Sequence, residues 1–192
     1  AESYLKRPNY SQIAFDKFIS ITGTGADMKC CDIGAGAAHL TYLLAEFDLD
    51  VTALEPNNAM RENGINKTKR FSNVKWVAGT GETTGQISNE FDVVTFGSSF
   101  NVCDRPATLI EVFRILKTNG WFMCLWNHRN LRDPIQAEIE SIIKKVLPEY
   151  GYGARRKDQT SIIRDSDLFL NIKEFDGGIE HTQTIGECVE TW

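Results

Sequence analysis

Apolar residues first recur at helical spacing, at Ile13, Ala14, Phe15, Phe18 and Ile19, and Gly23-Thr24-Gly25 then stops the run, so residues 11–21 are expected to form a helix. The period changes at residues 28–33, a short strand-like run that turns through Gly34 and Gly36 into a helical stretch over 40–46. Residues 51–54 have the apolar content of a second buried strand, and the polar residues 58–67 read as a helix. Residues 74–78 predict a third strand, 91–96 a fourth, 107–116 a helix with one apolar face, and 120–126 a fifth strand rich in aromatic side chains. A helix over 135–147 follows Pro134. Strands alternating with helices in this way predict an α/β fold, a Rossmann-like doubly wound and mostly parallel sheet covered on both faces. The signal fades after residue 150, and residues 149–170 are expected to form a capping insertion. Two further candidate strands lie at 171–175 and 179–184, and residues 187–192 look like the opening of an amphipathic helix, which suggests a chain truncated before the last strand of its sheet.

Composition narrows the class. A chain of 192 residues with 42% hydrophobic and 24% charged residues is ordinary for one globular domain, and its apolar runs are too short to cross a bilayer. The first residues lack the apolar segment of a secretory signal, which favours a cytoplasmic location. Cys30, Cys31, Cys103, Cys124 and Cys188 include an adjacent pair and make an odd count, a poor disulfide framework, and are expected to be reduced. His39, His128 and His181 stand too far apart, and too far from any paired cysteines, to suggest a zinc site, so no metal is expected. A net charge of −5 without a long basic run argues against nucleic acid as a partner, because phosphate neutralisation supplies most of that affinity; Arg155-Arg156-Lys157 is only a short cluster. The expected partner is a small molecule. Oligomeric state is left open.

The chemistry begins at Asp32-Ile33-Gly34-Ala35-Gly36-Ala37-Ala38-His39. Glycines at this strand-to-helix turn let the backbone bend tightly and approach a ligand closely. In a dinucleotide-binding Gly-x-Gly-x-x-Gly turn the last position must be small, yet here it falls on His39, which disfavours a pyrophosphate cofactor. Asp32 points the same way, since a carboxylate suits a ligand bearing an amine or a sulfonium better than a second anion. About twenty residues beyond the glycines the second strand ends in Glu55-Pro56, and a carboxylate there can accept both vicinal hydroxyls of a ribose.

In these residues the chain resembles the class I S-adenosylmethionine-dependent methyltransferases, whose first motif is an acid-x-Gly-x-Gly-x-Gly turn; Ala38 replaces the third glycine. Residues 7–10, 54–60, 79–82, 91–96 and 114–120 resemble, in the same order, the branch of small-molecule methyltransferases that includes the quinone-biosynthesis and trans-aconitate types. The resemblance implies S-adenosylmethionine as cofactor and S-adenosylhomocysteine as product. It implies Gly34, Ala35 and Gly36 along the methionine part with Asp32 supporting the turn or the amine, Glu55 and Pro56 at the ribose, and Met60 beside the adenine. Thr80, Gly81 and Glu82 would meet the adenine amino edge, while Arg7 and Tyr10, with Tyr4, would form an N-terminal lid.

Gly97 and Ser98 follow the fourth strand, at the carboxyl end where ligands collect, and are expected to face the cofactor, with Phe100 and Asn101 toward the acceptor. Trp121, Trp126, Phe100 and Tyr152 are candidates for an apolar acceptor pocket. His128, just past the fifth strand, is the candidate general base, imidazole being the side chain that titrates nearest neutrality. The residues after the fourth strand lack the Asn/Asp-Pro-Pro-Tyr run, and Cys103 lacks the preceding proline, of enzymes that methylate nucleic-acid bases. Methyl transfer to a small-molecule oxygen is therefore the favoured expectation. The alternatives are a methyltransferase-like domain that binds without catalysis and an oxidoreductase of the NAD type.

Overall fold

The computed structural model describes residues 8–128, 130–150, 159–182 and 184–187. The first helix, α1 (Gln12–Thr22), starts where the Ser11 hydroxyl accepts the Ala14 N–H and ends at Gly23 in the left-handed region, φ +67°. There follow β1 (Lys29–Ile33), α2 (His39–Glu46), β2 (Asp50–Leu54), α3 (Asn58–Thr68), β3 (Val74–Val77), β4 (Phe91–Gly97), α4 (Arg105–Ile115), β5 (Leu116–Leu125), α5 (Pro134–Val146) and α6 (Gln159–Asp165). Side chains of Asn57, Asp104 and Asp133 cap α3, α4 and α5 by accepting the N–H three residues on.

The five strands form one parallel sheet in the order β3-β2-β1-β4-β5. Strand order reverses between β1 and β4, and a doubly wound sheet opens a crevice at the carboxyl ends of the strands where this happens. Both faces are covered, and strand pleating sorts neighbouring residues between them. Cys31 and Val94 join a core with Ile33, Phe96, Phe100 and Leu109, whereas Cys30 and Val93 join the opposite core with Phe15, Phe18, Leu44 and Val51. Cys30, Cys31, Cys103 and Cys124 are all free thiols.

Two expectations change. The fifth strand begins at Leu116 rather than at residue 120: Phe91 pairs with Leu116, and pairing resumes at Val93 with Trp121 after an irregularity that contains Asn119 at φ +66°. Of the insertion expected at 149–170, residues 151–158 lie outside the described residues; residues 159–169 contain α6, and Ile162, Ile163, Leu168 and Phe169 pack against the Phe96–Phe100 side of the core. No strand follows β5 among the described residues. The apolar positions at 171–175 serve another purpose, because Asn171 turns the chain at φ +56° and Phe175 packs on the α1 side with Lys17 over its ring. The segment stays close to α1 through a hydrogen bond from the Ser11 hydroxyl to the Gly178 carbonyl.

Candidate functional site

The turn after β1 is built by backbone geometry. Gly34 and Gly36 have φ +69° and +57°, and the Gly34 and Ala35 N–H groups both donate to the Leu54 carbonyl at 2.9 Å. A Cβ on Gly34 would lie 2.5 Å from that of Ser99, whose hydroxyl donates to the Ile33 carbonyl, so both φ and space demand glycine. Ala38 caps α2 at φ +66°, a left-handed conformation that costs a residue with a Cβ about 1–2 kcal/mol. At the end of β4 a Cβ on Gly97 would lie 2.8 Å from the Tyr10 hydroxyl. Tyr10, Asp32, Gly34, Ala35, His39, Leu40 and Gly97 together line a narrow cleft at the β1–β4 switch point.

Two acids organise this cleft. Asp32 is fully buried, and its carboxylate accepts the hydroxyls of Thr41 at 2.6 Å and Thr95 at 2.9 Å. Burial pushes its pKa up to about 6 even though both hydroxyls favour the charged form. Glu55, 8% exposed, sits at the end of β2 and accepts the Gly36 N–H on one carboxylate oxygen and the Asn57 N–H on the other, each at 2.9 Å. It therefore ties the glycine turn to the start of α3 and holds both against the sheet. Thr41 and Thr95 were not singled out from sequence. Their only signal is a hydroxyl at a position where a buried face would otherwise be wholly apolar.

A strap crosses the strand ends. The Tyr10 hydroxyl donates to Ser98 Oγ at 3.1 Å, and the Asn127 side-chain amide donates to the carbonyls of Pro8 and Asn9 at 3.2 Å each. Asn9 Oδ1 also lies 3.2 Å from His39 Nδ1, which has Lys67 Nζ 3.4 Å away. Tyr10 thus crosses the end of β4, and Asn127, unmarked in the sequence, ties Pro8 and Asn9 to the end of β5. Arg7 and Tyr4 lie outside the described residues.

The remaining expected residues divide. Ser98, at φ +56°, lies on the cleft side of β4, bonded to Tyr10. Pro56 is exposed, and Met60 is half-buried in the first turn of α3. Gly81 is buried against Cys103 and Thr108. Glu82 accepts the Asp104 N–H at 2.8 Å; partial desolvation would raise its pKa, but this bond and those from its own N–H and Thr80 outweigh it and leave the group below the usual value. Glu82 is thus a link between the loops after β3 and β4. Phe100 is a correction: it is completely buried, edge-on to Phe96 and Phe122, so it forms core and not an acceptor wall. Asn101 is nearly buried, and its Oδ1 accepts the indole N–H of Trp126 at 3.0 Å. Trp126 and Trp121 pack partly against the two cores, and Tyr152 lies outside the described residues. His128 is exposed, three residues past β5 at the carboxyl end of the sheet. Among the described residues no group of three His, Cys, Asp or Glu side chains is placed to hold a metal ion.

Comparison with known proteins agrees with this architecture. Residues 31–124 match the family described as "Methyltransferase domain", a span that runs from β1 to β5. The demethylmenaquinone methyltransferase of Staphylococcus saprophyticus is 30% identical over 151 residues, covering 76% of this chain and 65% of that protein. A ubiquinone/menaquinone biosynthesis C-methyltransferase of Zymomonas mobilis is 27% identical, covering 83% of this chain and 68% of its own. The chain spans slightly under two thirds of the Staphylococcus saprophyticus relative, and 53% of that from Staphylococcus haemolyticus. Among solved structures, a Methanococcus maripaludis protein assigned to the S-adenosylmethionine-dependent methyltransferases superposes with a TM-score of 0.63 at 22% identity, over 81% of this chain and 73% of that one. A Haemonchus contortus phosphoethanolamine N-methyltransferase in complex with S-adenosylmethionine gives 0.57 at 15% identity, over 81% and 36%. With its five-stranded parallel sheet and its acid-and-glycine turn at the switch point, the chain shares the fold of these solved structures and is similar in sequence, from β1 to β5, to the methyltransferase domain family and to the quinone methyltransferases named above.

Proposed function

We propose that the cleft binds S-adenosylmethionine and that the protein transfers its methyl group to a small-molecule acceptor. The observation that carries this is the convergence of a left-handed glycine turn, buried Asp32 and Glu55 at the β1–β4 switch point. The donor set suits such a ligand. No described cation pairs with the Asp32 carboxylate, so a ligand ammonium or sulfonium would supply the missing positive charge. The Glu55 oxygens each retain acceptor capacity beyond the single N–H they hold, enough for a pair of ribose hydroxyls. Gly34, Ala35, Gly36 and Gly97 leave backbone free of side-chain bulk along the methionine part, and Ser98 and Tyr10, with Arg7 before it, close over it. Pro56 and Met60 would flank the adenine, with Gly81 and Glu82 at its amino edge.

The bound cofactor supplies a methyl already activated on a sulfonium, so the work left to this chain is orientation, exclusion of water and removal of a proton. Asn127 and Tyr10 hold the strap across the cleft and limit its access to solvent. His128, on the same edge of the sheet, would take the proton from an acceptor hydroxyl, and Asn101 stands on the acceptor side. Deprotonation of a phenol-like hydroxyl enriches both the oxygen and the conjugate ring carbon, so one base serves either product. Transfer to oxygen is our reading from the sequence; the C-methyltransferase name of the Zymomonas mobilis relative favours transfer to carbon as the second. The net charge of −5 supports a small acceptor over nucleic acid. No helix among the described residues is long and apolar enough to cross a membrane, and we place the protein in the cytoplasm as one methyltransferase domain. Titration calorimetry with S-adenosylhomocysteine and with NAD tests the reading: saturable heat with the first and none with the second is expected. The reverse would replace it with an oxidoreductase, and heat with neither would leave a domain that binds no such cofactor.

A further inference from the structure

Helix α5 leaves a row of apolar side chains exposed. Of its thirteen residues only Glu140 is buried, while Ile135, Ile142 and Val146 are 69%, 52% and 73% exposed. With half-buried Ile139 they recur at spacings of four, three and four, the seam of a coiled coil rather than the broad stripe of a helix packed on a sheet. Such a row does not remain in water without cost, and its flanks indicate what covers it. On the seam's numbering, the two positions beside it that face a partner across an antiparallel pairing are Glu138 and Lys145, both exposed.

We propose that α5 is a self-association surface, on which a second copy of this chain docks its own α5 antiparallel across a two-fold axis. In that arrangement Ile135 meets the partner copy's valine at position 146 and Ile139 its isoleucine at 142, while Glu138 faces the lysine at 145 and Lys145 the glutamate at 138. One surface satisfies itself twice, as an isologous interface requires. A parallel pairing would set Glu138 against an isoleucine and leave Lys145 without a counter-charge. A lipid surface is the weaker fit, because the exposed polar part of the helix sets Glu138 beside Lys144 and Lys145 in a chain of net charge −5. Two helices of this length, about 20 Å each, cover less surface than a typical stable dimer, so association in the range of about 10–100 µM is expected.

Sedimentation velocity of the whole chain from about 5 to 500 µM reads the proposal directly. A reversible monomer–dimer equilibrium is expected. Glu138→Lys alone and Lys145→Glu alone should each weaken it about tenfold or more, and the double exchange should restore it. An equimolar mixture of the two single variants should pair as well as the unchanged chain, a result that no folding defect would produce. A chain that stays monomeric throughout overturns the proposal, and binding to vesicles of phosphatidylglycerol and phosphatidylcholine would then assign the face to lipid. A dimer indifferent to both charge reversals and to Ile142→Asp also overturns it, by placing the interface elsewhere.

Discussion

Replacing Glu55 by alanine separates the site's architecture from its ligand chemistry. The carboxylate holds the Gly36 and Asn57 N–H groups, each at 2.9 Å, and is almost buried. Asn57 is exposed, so water replaces the bond lost there, whereas Gly36 is buried and its N–H is left without a partner. The stability cost is therefore set by one buried unsatisfied donor, about 1–3 kcal/mol. Binding loses more than this loosening of the turn, because the two hydroxyls of the ribose lose a charged acceptor, worth about 1.5–3 kcal/mol. The dissociation constant for S-adenosylhomocysteine should rise about ten- to a hundredfold. Calorimetry gives the affinity, and urea denaturation of the free protein gives the stability. An affinity within about threefold of the original, in a variant destabilised as expected, would show that Glu55 braces the turn and does not touch the ligand.

The other predictions concern the turn, the buried acid and the base. Gly36→Val forces a β-branched residue to φ +57° and should abolish S-adenosylhomocysteine binding while the far-ultraviolet circular dichroism stays near native; normal binding would move the cofactor elsewhere. Asp32 has its folded pKa raised to about 6, so the stability it gives when protonated is fully present below its unfolded value and lost as pH rises through about 6. Against Asp32→Asn, the unchanged protein should thus lose up to about 3 kcal/mol between about pH 4 and 7 in denaturant titrations, and parallel profiles would refute the assignment. His128→Ala should lower turnover about 10²–10⁴-fold with cofactor affinity preserved; turnover within a few fold would mean that the acceptor needs no base from this residue.

The order of the elements was written in the local pattern. Caps at Ser11, Asn57, Asp104 and Asp133, the stop at Gly23 and the period changes around Gly34 act between residues close in the chain, so the sequence by itself determined α1 to α5 and the five strands to within a few residues, but not α6. The acid-glycine turn and the acid at the end of β2 were legible for the same reason, since a parallel αβ unit brings one strand end beside the next at a nearly constant spacing. What only the tertiary structure decided depends on distant partners. Phe100 reads as part of an apolar acceptor pocket until Phe96 and Phe122 enclose it, and Asp32 owes its raised pKa to burial by elements sixty residues apart. Residues 171–175 have the pattern of a strand, yet Asn171 turns the chain and Phe175 is taken by the α1 side of the core. A side chain's type sets which interactions it can make; burial, which is a property of the whole packed chain, sets which of them it does make.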